Sequence, residues 1–481
     1  MVAMWRLATR RQHLFKIKIM NFIIDFSAVP TDNPWLFAWW LVSHGGWVVI
    51  LWLMVKAAGD IWLHNKQHEY EHSLTYHLLA IDVPKATEQT PQAVEQIFSA
   101  IAATHTPPKW FEKWFKGMAT PKFSFEIVSL GGYVQFLIRT QSDFRDLVEA
   151  AVYAQYPDAQ ITEVEDYVDR ISPEFDTEQY DLWGTEFIEQ KPYAYPIKTY
   201  PEFEHELSRE YKDTMASLLE VLGRIKPDED VWLQLLLTPT DDTWKQHAQH
   251  DIAALIKGNH QSAGFFDYLF FKLPVEILDY IGEIILPLWG EIEDKKTIEQ
   301  TAKDLTPGQK KVLEAMEHKI SKVGLYTKFR LIYWGRRETF LKGRGVSAVL
   351  GAINQFNSLD RNGFRPSPKL TTKANYFLKQ SRINHKQQSI LRAYQQRNNH
   401  VGHGHGFILN TEELATLYHF PVVGVKAPLV KKSELKKAEP PFALPIWQPG
   451  FLRRTNEVGV TVAVDDYSAK NGPPGNLPFV D

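Results

Sequence analysis

The chain has 481 residues, 44% of them hydrophobic and 23% charged. That is length for two or three domains and the composition of a folded protein, which excludes both a bundle of membrane spans and a disordered chain. The net charge of -3 gives no global pull on nucleic acid, and the lack of cysteine excludes disulfides, thiolate zinc sites, iron–sulfur clusters and a cysteine nucleophile.

In chain order, an N-terminal segment (1–33) carries Arg6, Arg10, Arg11, Lys16 and Lys18. Pro34–Val55 then runs 22 residues without a charge. As a helix this run would measure about 33 Å, enough for a hydrocarbon core of about 30 Å. Trp35, Trp39, Trp40 and Trp52 lie toward its ends, where indoles favour the headgroup zone. A cleaved signal peptide would have a shorter apolar core and a small-residue cleavage site, whereas Lys56 and an amphipathic stretch follow here. The sequence thus predicts one transmembrane helix over 34–58, a single-pass protein of the cell membrane, and the lipid bilayer as a partner. Topology depends on the start. With the basic residues counted, the positive-inside rule puts the soluble part outside; translation from Met20 leaves only Asp25 and Asp32 before the span and favours a cytoplasmic soluble part.

His68-Glu69-Tyr70-Glu71-His72 follows, a match to H-E-x-x-H. On a helix His68 and His72 share a face that His64 extends, a pattern able to ligate zinc with a glutamate as base. The charged Glu71 and the lack of an evident third-ligand helix favour a solvated helix instead. A membrane-bound zinc metallohydrolase is therefore the alternative reading. The glycine-rich run of His400, His403 and His405 reads as a loop.

Residues 64–170 read as strand, helix, hairpin, helix, strand, an α+β pattern of the ferredoxin-like βαββαβ type. The first strand candidate is Ser73–Val83. Thr90-Pro91 opens a helix carrying Val94, Ile97, Phe98 and Ile101. Phe123, Phe125 and Ile127 alternate, Gly131-Gly132 makes the turn, and Val134, Phe136 and Ile138 alternate again. Ser142 caps a second helix ahead of a strand at Ile161–Val164. Such a sheet buries one face under its two helices and can leave the other free for a partner. Residues 183–370 repeat the order as a second ferredoxin-like unit, its inner strands around Val231–Leu237 and Leu325–Tyr333. Between them lies a helical insertion, 239–322. Its stretch 265–289 is too charged to span a bilayer and suits oligomer contact or an internal hairpin.

Charge is uneven. Residues 143–186 hold many carboxylates, with only Arg145 and Arg170 as bases. Residues 361–411 hold nine bases and no Asp or Glu. Over 371–400 this reads as a basic helix with a thin apolar strip of Tyr376, Ile383 and Ile390. Lys369, Lys373, Lys379, Arg382, Lys386, Arg392 and Arg397 are the candidate contacts for nucleic acid, an acidic partner or an anionic leaflet; a merely solvated face is the competing reading. No Gly-Lys dipeptide occurs, which excludes a P-loop, and no nucleophile elbow or dinucleotide fingerprint is present. No cofactor is expected.

Four strings, beginning GGYVQFLIRTQSDF, YDLWGTEFIEQ, MASLLEVLGRIK and FILNTEELATLYHFP, together resemble the membrane-anchored N-terminal region found ahead of type IV secretion and conjugation ATPases in candidate-phyla bacteria. The resemblance covers about residues 20–445. It implies a non-enzymatic, oligomeric scaffold of a DNA- or protein-transfer machine. In that family a connector leads to a hexameric P-loop ATPase. Here 407–481 reads as a short helix capped by Asn410 and Glu413, then a proline-rich connector and tail; either the ATPase is a separate chain, or the gene is truncated, or the part has been reused, and the partners the resemblance suggests are a hexameric P-loop ATPase on a separate chain and DNA.

Overall fold

The computed structural model describes residues 16–19, 22–25, 43, 47–84, 89–203, 213–256, 305–399 and 406–421. Strands β1 (Lys16–Ile19) and β2 (Phe22–Asp25) form a separate antiparallel pair. Helix α1 (Trp47–Ser73) leads into β3 (Tyr76–Asp82), α2 (Pro91–Ala102), a short helix α3 (Trp110–Phe115), β4 (Phe123–Leu130), β5 (Tyr133–Gln141), α4 (Arg145–Gln155) and β6 (Gln160–Glu163). The second half runs β7 (Tyr180–Glu189), α5 (Ala216–Gly223), β8 (Glu229–Pro239), α6 (Thr243–Ile256), α7 (Pro307–Ser321), β9 (Gly324–Arg336), α8 (Ala348–Asn354) and β10 (Phe364–Pro366). Helix α9 (Lys379–Gln395), β11 (Phe407–Asn410) and α10 (Thr411–Leu417) complete it. The fold is α+β.

Eight strands lie in the order β6-β3-β5-β4-β8-β9-β7-β10, with β11 added to β9 as the ninth. In each half the strands sit as second, third, first, fourth of their own sequence order. The halves join where β4 pairs antiparallel with β8, from Phe123 opposite Leu237 to Leu130 opposite Asp230. The β4–β5 turn needs its glycines: Gly131 and Gly132 have φ of 60° and 89°, a region that costs side-chain-bearing residues energy.

Strand alternation sends Phe123, Phe125 and Ile127 of β4 and Leu233, Leu235 and Leu237 of β8 to one face. There they pack under α2, α4, α5 and α8 through Phe98, Val148, Leu218 and Ile353, and Tyr418 stands edge-on to Phe125 at 5.0 Å. Burying each such side chain contributes about 1.5–3 kcal/mol. The expected capping pair forms at α10: Glu413 N–H donates to Asn410 Oδ1 (2.8 Å) and Asn410 N–H to Glu413 Oε2 (3.0 Å).

Three expectations change. The other sheet face is not left open at its centre: α9 and the turn at 167–171 cover it, with Ile390, Leu391 and Tyr394 packed on Val128, Trp232 and Ile332. The basic helix does not begin at 371, because Tyr376 and Leu378 take positive φ (73° and 52°), which a helix cannot contain. Tyr376 therefore leaves the apolar strip and is 87% exposed. Of the expected membrane span, residues 34–42 and 44–46 lie outside the described residues, as do 265–289 and 400–405. Among the described residues no helix is long and apolar enough to cross a membrane. Helix α1 begins with the uncharged Trp47–Val55 and then meets Lys56, Asp60 and Lys66.

Candidate functional site

The face under α9 carries a row of polar side chains across four strands. Glu126 of β4 lies opposite Gln234 of β8, Gln234 opposite Arg330 of β9, and Arg330 opposite Glu186 of β7. All four are buried. Glu126 accepts from Ser124 Oγ (2.6 Å), Tyr167 Oη (2.8 Å), Gln234 Nε2 (3.0 Å) and Arg397 Nε (3.0 Å) and Nη2 (3.2 Å). Burial by itself would raise its pKa, but the charge and hydrogen bonds of Arg397, with the two hydroxyls, hold it below the usual carboxylate value. Arg330 donates to Glu186 Oε2 (3.2 Å), Ala393 O (2.8 Å) and Asn398 O (2.5 Å), while Gln234 donates to Tyr394 O (3.2 Å). Ala393 O, in the last turn of α9, thus accepts from a guanidinium as well as from Asn398 N–H (3.0 Å), a charge of the right sign for the C-terminal end of a helix. Lys328, 3.5 Å from Glu186, is pulled down to about 8 by burial, with the pull of Glu186 opposing.

This network divides the expected contact residues. Arg397 is 3% exposed, engaged with Glu126 and with Asp166 (2.5 Å), and so withdrawn from the surface. Half-buried Lys386 donates to the carbonyls of Pro368, Thr371 and Lys373 at 3.0–3.2 Å, tying down the loop before α9. Arg392 is exposed and 3.5 Å from Glu174. Lys369, Lys373, Lys379 and Arg382 are exposed at and before the N-terminal end of α9, beside the exposed Tyr376, Phe377 and Leu378. The acidic stretch noticed in the sequence therefore supplies part of what the basic stretch binds: Asp166 and Glu174 belong to it.

His68 and His72 lie on the last turns of α1 with their Nε2 atoms 3.3 Å apart. They line a cavity of about 260 Å³ together with Glu71, Tyr76, Lys122, Arg139 and Gln395–Asn398. Here the structure brings the histidine motif and the end of the basic helix to one place. Arg139 stacks over the Tyr76 ring at 3.7 Å. Glu71 pairs with Lys122, and Glu69 is exposed and paired with Lys66 at 2.7 Å. Neither carboxylate is thereby poised as a base over the imidazoles. His64 lies one turn before His68 on the same helix but does not line the cavity. Among the described residues no group of three or more metal-ligating side chains is placed to hold an ion.

Sequence reasoning missed Glu126, Gln234, Arg330 and Glu186. Each occupies the polar position of an alternating strand, which reads as solvent-facing; the available signal was the surplus of bases after 361 facing the surplus of acids before 186. Residues 62–433 match the model of a family described as a domain of unknown function (DUF8128). No curated protein matches the sequence.

Proposed function

The chain belongs to that family of domains of unknown function, and we propose that it acts as a non-enzymatic, membrane-anchored scaffold built of two ferredoxin-like halves. The observation that carries the reading is the start of α1. Trp47, Leu51, Leu53, Met54 and Val55 are 51–65% exposed on one continuous helix, at the end of the uncharged run. A contiguous apolar surface of that kind needs a non-aqueous partner, and residues 34–55 together have the length of a span. The βαββαβ order of each half and its strand arrangement support the ferredoxin-like reading. The joined sheet is a rigid platform, and the resemblance to regions preceding secretion ATPases makes a separate hexameric P-loop ATPase the partner it would hold at the membrane, the scaffold itself assembling as an oligomer.

Lys369, Lys373, Lys379 and Arg382 are the exposed cations that would meet DNA or another polyanion. The full-length chain should stay with membranes after an alkaline carbonate wash and float with vesicles. A product that remains in the supernatant would sink the scaffold reading. Binding to duplex DNA should weaken with salt at a log–log slope of about -3 to -4, from about -0.9 per phosphate contact for these four cations.

The zinc-hydrolase reading has one observation in its favour, the 3.3 Å between His68 and His72 Nε2 atoms, a separation two ligands of one tetrahedral ion can have. The pairing of Glu69 and Glu71 with lysines weighs against it. Stoichiometric zinc in purified protein, lost in His68→Ala, would revive it.

A further inference from the structure

The short helix α3 has a surface unlike the rest of the molecule. Trp110, Phe111 and Phe115 are 69%, 56% and 53% exposed. Phe111 and Phe115 stack with ring centroids 4.8 Å apart, and Trp110 meets Phe115 edge-on at 5.9 Å. These rings therefore form one aromatic patch. Lys109, Lys113 and Lys116 are exposed around it. The one acid of the helix, Glu112, turns back to accept from the Lys109 backbone N–H at 3.0 Å, so the lysines set the sign of the surface.

Helix α3 is also fixed in place. Trp62 Nε1 of α1 donates to Trp114 O at 3.1 Å. Gly117, with φ of 72°, brings the chain against α1 so closely that a Cβ there would collide with the Lys66 carbonyl oxygen. The attachment points, Trp62 and Lys66, lie seven and eleven residues beyond Val55. At 1.5 Å per residue, Trp62 is about 10 Å past the last residue of the apolar run. Headgroups occupy about 5–7 Å on each side of the hydrocarbon core, so an upright α1 puts this point about 3–5 Å outside that layer, a gap that an indole or phenyl side chain can bridge.

We propose that α3 is a second membrane contact, its aromatic patch resting among the headgroups of an anionic bilayer beside the point where α1 leaves it. Indoles and phenyl rings flanked by lysines suit that layer, because the rings are buried at the acyl boundary while the ammonium groups reach phosphate. Two observations favour lipid over a protein partner: the exposed ring patch is bordered by cations, and α3 is docked on α1, the helix that begins with exposed apolar residues. The inference rests on the anchored reading of α1; its function would be to set the tilt of the sheet platform on the membrane.

Because the chain has no cysteine, single-cysteine variants Phe111→Cys, Phe115→Cys and Leu359→Cys of the full-length protein can carry an environment-sensitive fluorophore. Leu359 is fully exposed and serves as the control. In vesicles of phosphatidylcholine with phosphatidylglycerol, labels at 111 and 115 should shift to the blue. Lipids spin-labelled near the headgroup should quench them, while the label at 359 stays in water. Lys109→Gln, Lys113→Gln and Lys116→Gln together should abolish the dependence on phosphatidylglycerol. Protein that floats with vesicles while both labels remain aqueous overturns the inference and leaves the anchor intact. Protein that does not float overturns the anchor, and the inference with it. Self-quenching at 111 and 115 that disappears on dilution with unlabelled protein would identify a second copy as the occupant and also overturn it.

Discussion

Two glutamates with enclosed carboxyl groups, one on each face of the same sheet, carry opposite charge preferences. Glu126, under α9, receives five hydrogen bonds and is held below the usual carboxylate value. Glu189, at the end of β7, has its Oε1 without a hydrogen-bond partner among the described residues. Its nearest cation, Lys319, stands 4.0 Å away and is committed to Glu413 at 2.9 Å. Burial pushes Glu189 up to about 8, Lys319 opposing and Glu413 adding. Both carboxyl groups are enclosed, with side-chain exposures of 0% at Glu126 and 5% at Glu189; the number of donors decides whether such a carboxyl keeps its charge.

The largest effect that can break this comparison comes from the pair partner. Arg397→Gln leaves Glu126 buried and uncompensated and should cost about 3–5 kcal/mol. Urea unfolding at pH 7 reads it directly; an unchanged midpoint would show that the network does not hold α9 down. That loss should shrink in acid, because a carboxyl with a depressed folded pKa contributes stability above its unfolded value and gives it up as pH falls through the folded one.

Glu189 has the opposite sign. Its raised pKa means that the folded state holds the proton more tightly, so its contribution is complete below about 4.5 and is lost as pH rises toward about 8. Glu189→Gln should therefore stabilise the protein by about 1–3 kcal/mol at pH 8.5 and by little at pH 4. Melting temperatures of both proteins at the two pH values test this, and an equal shift at both would remove titration as the cause.

The smallest stability effect is expected at the surface. Replacing Lys369, Lys373, Lys379 and Arg382 with Gln should change stability by less than about 0.5 kcal/mol per site. The same replacement should reduce polyanion binding and flatten its salt dependence. Loss of stability comparable to Arg397→Gln would place these cations in the structural group.

Local structure was legible because it depends on neighbours in sequence. Alternation marked β4, β5, β8 and β9, Gly131-Gly132 marked the turn, and Asn410 with Glu413 marked the cap. The short strands β10 and β11 were missed, since three or four residues carry too little periodicity. So was α3, whose aromatic residues lie too close together to show a stripe. The candidate site was legible only as charge: a basic stretch after 361, an acidic one before 186, a histidine pair at the end of a helix.

What the amino-acid order by itself determined is therefore the set of elements and the two polarities of each strand, which follow from backbone periods of 3.6 and 2. Only the tertiary structure decided which polar positions are wet. Glu126 and Arg397 meet across 271 residues. Alternation says that a side chain points away from one core; it cannot say that a helix will later be laid over the other face. That covering removes water, and the removal of water turns Arg397 from an apparent surface cation into a buried structural one.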